Sequence, residues 1–179
     1  MADALSKWSN DAILFRVWDR TRDYTWPFDY DPSRYVIRPG LFTDVSEPYI
    51  DGDGTSRQWL FFAASTTRKE VMVVRVRDGK WDRQDVSASL YRDLFAAQGI
   101  VPQPVDIATA LDSDEVVKIA REHGYRVQNL DDMYVLLGSE DRKSYSGYKP
   151  SEPNWTVFGE MGKAIVVKPD TSEIVQNDF

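Results

Sequence analysis

The sequence predicts an α+β protein built from two helix-plus-antiparallel-sheet units, the second a duplicate of the first, with the helices packed on one face of the sheet. Three observations lead there. An amphipathic stretch, a strand opening on Trp and a V-rich strand running into an Asp turn occur twice: Ala4 to Asp19, Trp59-Leu60-Phe61-Phe62 and Val71-Met72-Val73-Val74 with Asp78-Gly79, then Asp112 to Gly124, Trp155-Thr156-Val157-Phe158 and Ala164-Ile165-Val166-Val167 with Asp170. The 179 residues, 42% of them hydrophobic, are enough for one compact core burying roughly 70% of the unfolded surface. Two prolines within Ile100 to Pro104 mark a boundary, dividing the chain into units 1–103 and 104–179 that can also form one continuous domain.

Taken in order, Leu5, Trp8, Ala12, Phe15 and Trp18 recur at helical spacing with polar residues such as Asp11 between them, which predicts a first helix with an aromatic inner face. Residues 20–34 carry Trp26-Pro27 and Asp31-Pro32 without periodicity and predict an aromatic-rich connection. Arg34 to Arg38 and Leu41 to Glu47 read as extended, followed by a turn at Asp51-Gly52-Asp53-Gly54. Gln58 to Ala64 and Glu70 to Arg77 predict paired strands, and Asp78-Gly79 a hairpin leading into a further strand at Lys80 to Arg83, because both residues tolerate positive φ. A short helix is expected from about Ser87 to Gln98, ended by Gly99.

In the second half Asp112, with Glu115 three residues on, forms a capping-box start, and Gly124 ends that helix. Met133 to Gly138 predicts a strand, Ser139 to Pro153 a long polar loop, Trp155 to Gly159 and Lys163 to Lys168 two strands around a turn at Met161-Gly162, and the last dozen residues are expected to fray.

Composition excludes whole classes. With no cysteine there are no disulfides, thiolate metal sites or Cys nucleophiles, and with one histidine, His123, neither a His-based triad nor a two-His metal site can form within one chain. His123 reads as a helix-end residue whose charge the dipole favours. A net charge of -7 and scattered basic residues argue against nucleic acid. No apolar run approaches the roughly 20 residues of a membrane-spanning helix, and the residues do not separate a cytoplasmic protein from an exported one whose leader has been removed.

The second half resembles a PepSY-type domain. The residues that carry the likeness are Asp112-Ser113-Asp114-Glu115 with Ile119-Ala120, Pro153-Asn154-Trp155-Thr156-Val157, and Ala164-Ile165-Val166-Val167-Lys168-Pro169-Asp170-Thr171 with Glu173-Ile174-Val175. Ser172 stands where the family's Asp-Thr-Gly-Glu-Val-like turn has Gly, and the first half is similar more loosely through Asp11-Ala12, Gly54, Trp59 and Asp78-Gly79. The resemblance implies an architecture similar to cystatin-like and beta-lactamase inhibitory proteins, and binding or inhibition rather than chemistry.

No catalytic residue, metal ligand or cofactor is therefore assigned. Asp51-Gly52-Asp53-Gly54-Thr55 echoes a calcium loop, but Ser56 and Phe62 occupy positions where that loop needs Gly and Glu, so a hairpin turn is the expectation. Asp112, Asp114 and Glu115 suit a helix's first turn, and Asp131-Asp132, Glu140 and Asp141 suit solvated turns. Trp8, Trp18, Trp59 and Trp155 are assigned to packing. Trp26, Trp81, Tyr145 and Tyr148 have no such role and form the expected recognition surface for a protein or peptide. The expected function is a non-enzymatic binding or inhibitory module; the alternatives are a small carboxylate-dependent hydrolase and an acidic immunity-type protein that neutralises a toxin.

Overall fold

The structure, a computed structural model, describes residues 2–19, 53–56, 58–99, 101–126, 134–138, 152–159 and 163–179. Helix α1 (Ala2–Trp8) leads into β1 (Ile13–Trp18), and β2 (Gln58–Ser65), β3 (Glu70–Arg77) and β4 (Lys80–Ser87) follow. Helix α2 (Ala88–Leu94), a 3-10 turn at Ala96–Gln98 and helix α3 (Ser113–Glu122) come next, then β5 (Tyr134–Gly138), β6 (Asn154–Phe158), β7 (Ala164–Val167) and β8 (Ile174–Asn177). The strands form one sheet in the order β4-β3-β2-β1-β5-β6-β7-β8, antiparallel at every pairing.

This corrects the expected fold class. The protein is mostly sheet, with a few short helices, rather than two helix-plus-sheet units. The two meanders β1–β4 and β5–β8 are joined because β1 pairs with both β2 and β5, Val17 standing opposite Phe61 on one side and Leu137 on the other.

The expected helix over Ala4 to Asp19 is likewise corrected, since only Ala2–Trp8 is helical and Ile13–Trp18 is the central strand. The cause lies in β1 itself. Its register shifts between Leu14 and Arg16, so the bulge at Phe15 puts Phe15 and Trp18 on one face although they are three residues apart. A bulged strand thereby imitates the i, i+3 spacing of a helix. Both faces of β1 are covered, so Phe15, Arg16, Val17 and Trp18 are all buried and the strand shows no inside-outside alternation.

Alternation along β2 sorts the core into two layers. Leu60, Phe62 and Ala64 pack with Leu90, Tyr91 and Leu94 of α2, whereas Trp59 and Phe61 pack with the layer holding Val116, Val117 and Ala120 of α3. The helices thus lie on opposite faces, not on one. Between α2 and α3 the chain is held at the start of β1, where the Val105 N–H donates to the Leu14 carbonyl (2.7 Å), and just past the end of β7, where the Leu111 N–H donates to the Pro169 carbonyl (2.6 Å).

Local signals hold where their cause is local. Asp78 (φ 48°) and Gly79 (φ 73°) form the two-residue turn between β3 and β4, and β4 runs on past Arg83 to Ser87. The Ser87 Oγ caps α2 by accepting from the Leu90 N–H, and Gly99 adopts the left-handed conformation (φ 67°) that ends the following turn. Helix α3 carries the full capping box: Asp112 accepts from the Glu115 N–H, and the Glu115 side chain accepts from the Asp112 N–H.

Of the last dozen residues, expected to fray, Ile174–Asn177 form β8 paired with β7, and the Phe179 ring rests edge-on against Tyr125 at 5.1 Å. Of the four tryptophans assigned to packing, Trp18 and Trp155 are buried, and Trp8 and Trp59 half-buried. The expected connection at 20–34, the extended stretches at 34–38 and 41–47, the turn at 161–162 and the loop at 139–153 except for its last two residues lie outside the described residues.

Candidate functional site

The densest polar cluster among the described residues centres on Asp11, in the link between α1 and β1. Its carboxylate accepts from the hydroxyls of Ser9 (2.6 Å), Ser65 (2.6 Å) and Thr66 (2.9 Å) and from the Thr67 N–H (2.8 Å). The Arg68 N–H donates to the Ser65 Oγ, and the Arg68 guanidinium donates to the Trp8 carbonyl (3.1 Å) and pairs with Glu70 (2.9 Å). The sequence places these groups together because Ser65 ends β2, Thr66, Thr67 and Arg68 follow it in the β2–β3 turn, and β2 pairs with β1.

Hydrogen bonds from Ser65 and Ser9, then from Thr67 and Thr66, hold the Asp11 carboxyl far below the usual carboxylate range, against a smaller opposing effect of burial. A carboxylate so fully bonded is a poor general base and acts as a clamp on the turn. Because its folded pKa is depressed, its contribution to stability is complete above the unfolded value near pH 3.8 and is lost as pH falls toward the folded value. Melting temperatures of wild type and Asp11→Asn should accordingly differ most above about pH 5 and converge as the pH falls below about 4. A gap that stays constant from pH 7 to pH 2 contradicts the clamp.

A second carboxylate works at the seam of the two meanders. Asp19 is 2% exposed; its Oδ1 accepts from the Val135 N–H (2.9 Å) and its own N–H donates to the Val135 carbonyl (3.3 Å), extending the β1–β5 ladder past Trp18. The sequence reading missed both aspartates, having set Asp11 and Asp19 on the polar side of a helix. A signal for Asp11 was available in the hydroxyl-rich Ser65-Thr66-Thr67 turn, which has three donors and no acid of its own.

The residues singled out from sequence are dispersed. Trp26, Tyr145, Tyr148, Asp51, Asp131, Asp132, Glu140 and Asp141 lie outside the described residues. Trp81 is the second residue of β4, at the sheet's end, opposite Val76 in the ladder. Asp53 turns its carboxylate onto Thr55, accepting from the N–H (2.9 Å) and the hydroxyl (2.8 Å), which lowers its pKa, with Arg121 adding a smaller attraction. The adjoining Gly54 (φ 97°) seats the turn on α3 so closely that a Cβ there would lie 2.7 Å from the Ser113 carbonyl oxygen. Asp112 and Glu115 cap α3, and His123 ends it with Nδ1 2.9 Å from the Ile119 carbonyl. Among the described residues no three His, Asp or Glu side chains gather as a metal site, and no helix is long and apolar enough to cross a membrane.

No family model, curated protein or solved structure matches this chain.

Proposed function

We propose that the protein is a non-enzymatic binding or inhibitory module that holds a protein or peptide through Trp81 and the aromatic residues Trp26, Tyr145 and Tyr148. The observation that carries this reading is the use made of the acids: Asp11, Asp19, Asp53, Asp112 and Glu115 each bond to backbone N–H groups, fastening turns, a seam and a helix start. Carboxylates engaged in this way build a rigid frame, and a rigid frame lowers the ordering cost of binding. The PepSY-type resemblance of residues 104–179 supports the same reading. The hydrolase reading loses support at Asp53, whose Oδ1 is already occupied by Thr55.

A net charge of -7 favours a basic partner, whose capture should weaken as salt rises. The test is a pull-down from source-cell extract at low and high salt, read by mass spectrometry, with wild type beside Trp81→Ala. The expected result is one stoichiometric partner retained by wild type and lost by the variant, with the variant's circular dichroism unchanged. Absence of any stoichiometric partner at either salt overturns the reading.

A further inference from the structure

We propose that β8 is a detachable strap, a strand that leaves the β7 edge while the other seven strands stay paired. The two neighbours are held very differently. All four residues of β7 are buried, and β7 pairs with β6 at four consecutive positions with no shift in register. β8 pairs at three positions, with a shift that leaves Val175 unopposed, and none of its four residues is buried. Among the described residues it is the last strand in the sheet order, with no described strand on its outer side.

The approach to β8 is strained and its far end is fastened. The chain enters through Ser172 at φ 59°, the left-handed conformation that a Cβ disfavours. The Lys168–Glu173 pair beside this turn (2.6 Å) is solvent-exposed on both partners and correspondingly weak. At the strand's last residue and beyond it the contacts are better. Asn177 Nδ2 donates to the His123 carbonyl (2.9 Å), the Asp178 N–H donates to the Ala164 carbonyl (3.1 Å), and the Phe179 ring meets Tyr125 with Lys163 Nζ 5.4 Å from its centre.

Release of β8 therefore relieves strain at Ser172, while Ile174, partly buried against the core layer beneath α3, and the Phe179 ring oppose it. Open and closed populations are set by the strain at Ser172 against these two contacts.

Hydrogen exchange on the full chain tests this. The Lys168 N–H, bonded to the Glu173 carbonyl, and the Asp178 N–H bridge β7 and β8, and both should exchange at least roughly 100-fold faster than amides of the β6–β7 ladder, with little dependence on denaturant. Ser172→Gly should slow the two amides about fivefold by removing the strain. Phe179→Ala should speed them on the order of tenfold by removing the aromatic contact, and neither substitution should change exchange in the β6–β7 ladder. Exchange of Lys168 and Asp178 at the same rate and denaturant dependence as that ladder overturns the proposal, as does a response of the two variants in the same direction.

Discussion

Trp155→Ala should lower stability by about 3–5 kcal/mol and the melting temperature by on the order of 10 °C, the largest loss expected from a single side chain here. Trp155 is 5% exposed on the sheet face beneath α3, its indole meets Trp59 edge-to-face at 6.4 Å, and its Nε1–H donates to the Leu111 carbonyl at 3.1 Å. Truncation leaves a cavity bounded by β6, β7 and α3, frees the Trp59 ring and deprives the Leu111 carbonyl of its donor. Trp155→Phe separates these effects: it keeps most of the bulk and loses the hydrogen bond, so a loss of about 1 kcal/mol is expected. Equilibrium urea unfolding of the three proteins reads both values. A change below about 1 kcal/mol for Trp155→Ala would place the ring outside the core.

Gly54→Ala should be nearly as damaging, by about 2–4 kcal/mol, although it adds one methyl group at a turn. Two costs combine at this position. The backbone sits at φ 97°, and the new Cβ would lie 2.7 Å from the Ser113 carbonyl oxygen and 2.8 Å from the Val117 Cβ, groups fixed in the α3 helix that cannot swing away. Gly79→Ala is the control: its φ of 73° is also positive, but nothing lies within 4 Å of a Cβ there, so only the conformational cost of about 1–2 kcal/mol applies. Thermal melts of the two variants should therefore be well separated. Equal losses would show that Gly54 does not dock on α3.

The sequence was legible wherever cause and effect lie within a few residues. The Asp112–Glu115 capping box, the Asp78-Gly79 turn, Gly99 and the paired strands Gln58–Ser65 and Glu70–Arg77 all follow from local chemistry and are present in the structure. The candidate site was far less legible. Asp53 was correctly read as a turn residue, but nothing near Gly54 in sequence announces α3, which begins at Ser113. The same holds for Asp11, whose donors Ser65, Thr66 and Thr67 lie more than fifty residues away.

By itself, then, the sequence determined the Asp78-Gly79 turn, the Asp112–Glu115 capping box, the Gly99 stop and most strand positions among the described residues. Tertiary structure alone decided that Ile13–Trp18 is a strand, that one sheet spans both halves, and that α2 and α3 cover opposite faces. The physical reason is the position of β1. A strand buried on both faces loses the alternation that identifies it, its bulge at Phe15 supplies a false helical spacing, and the partner that completes its ladder through Asp19 is Val135, 116 residues along the chain.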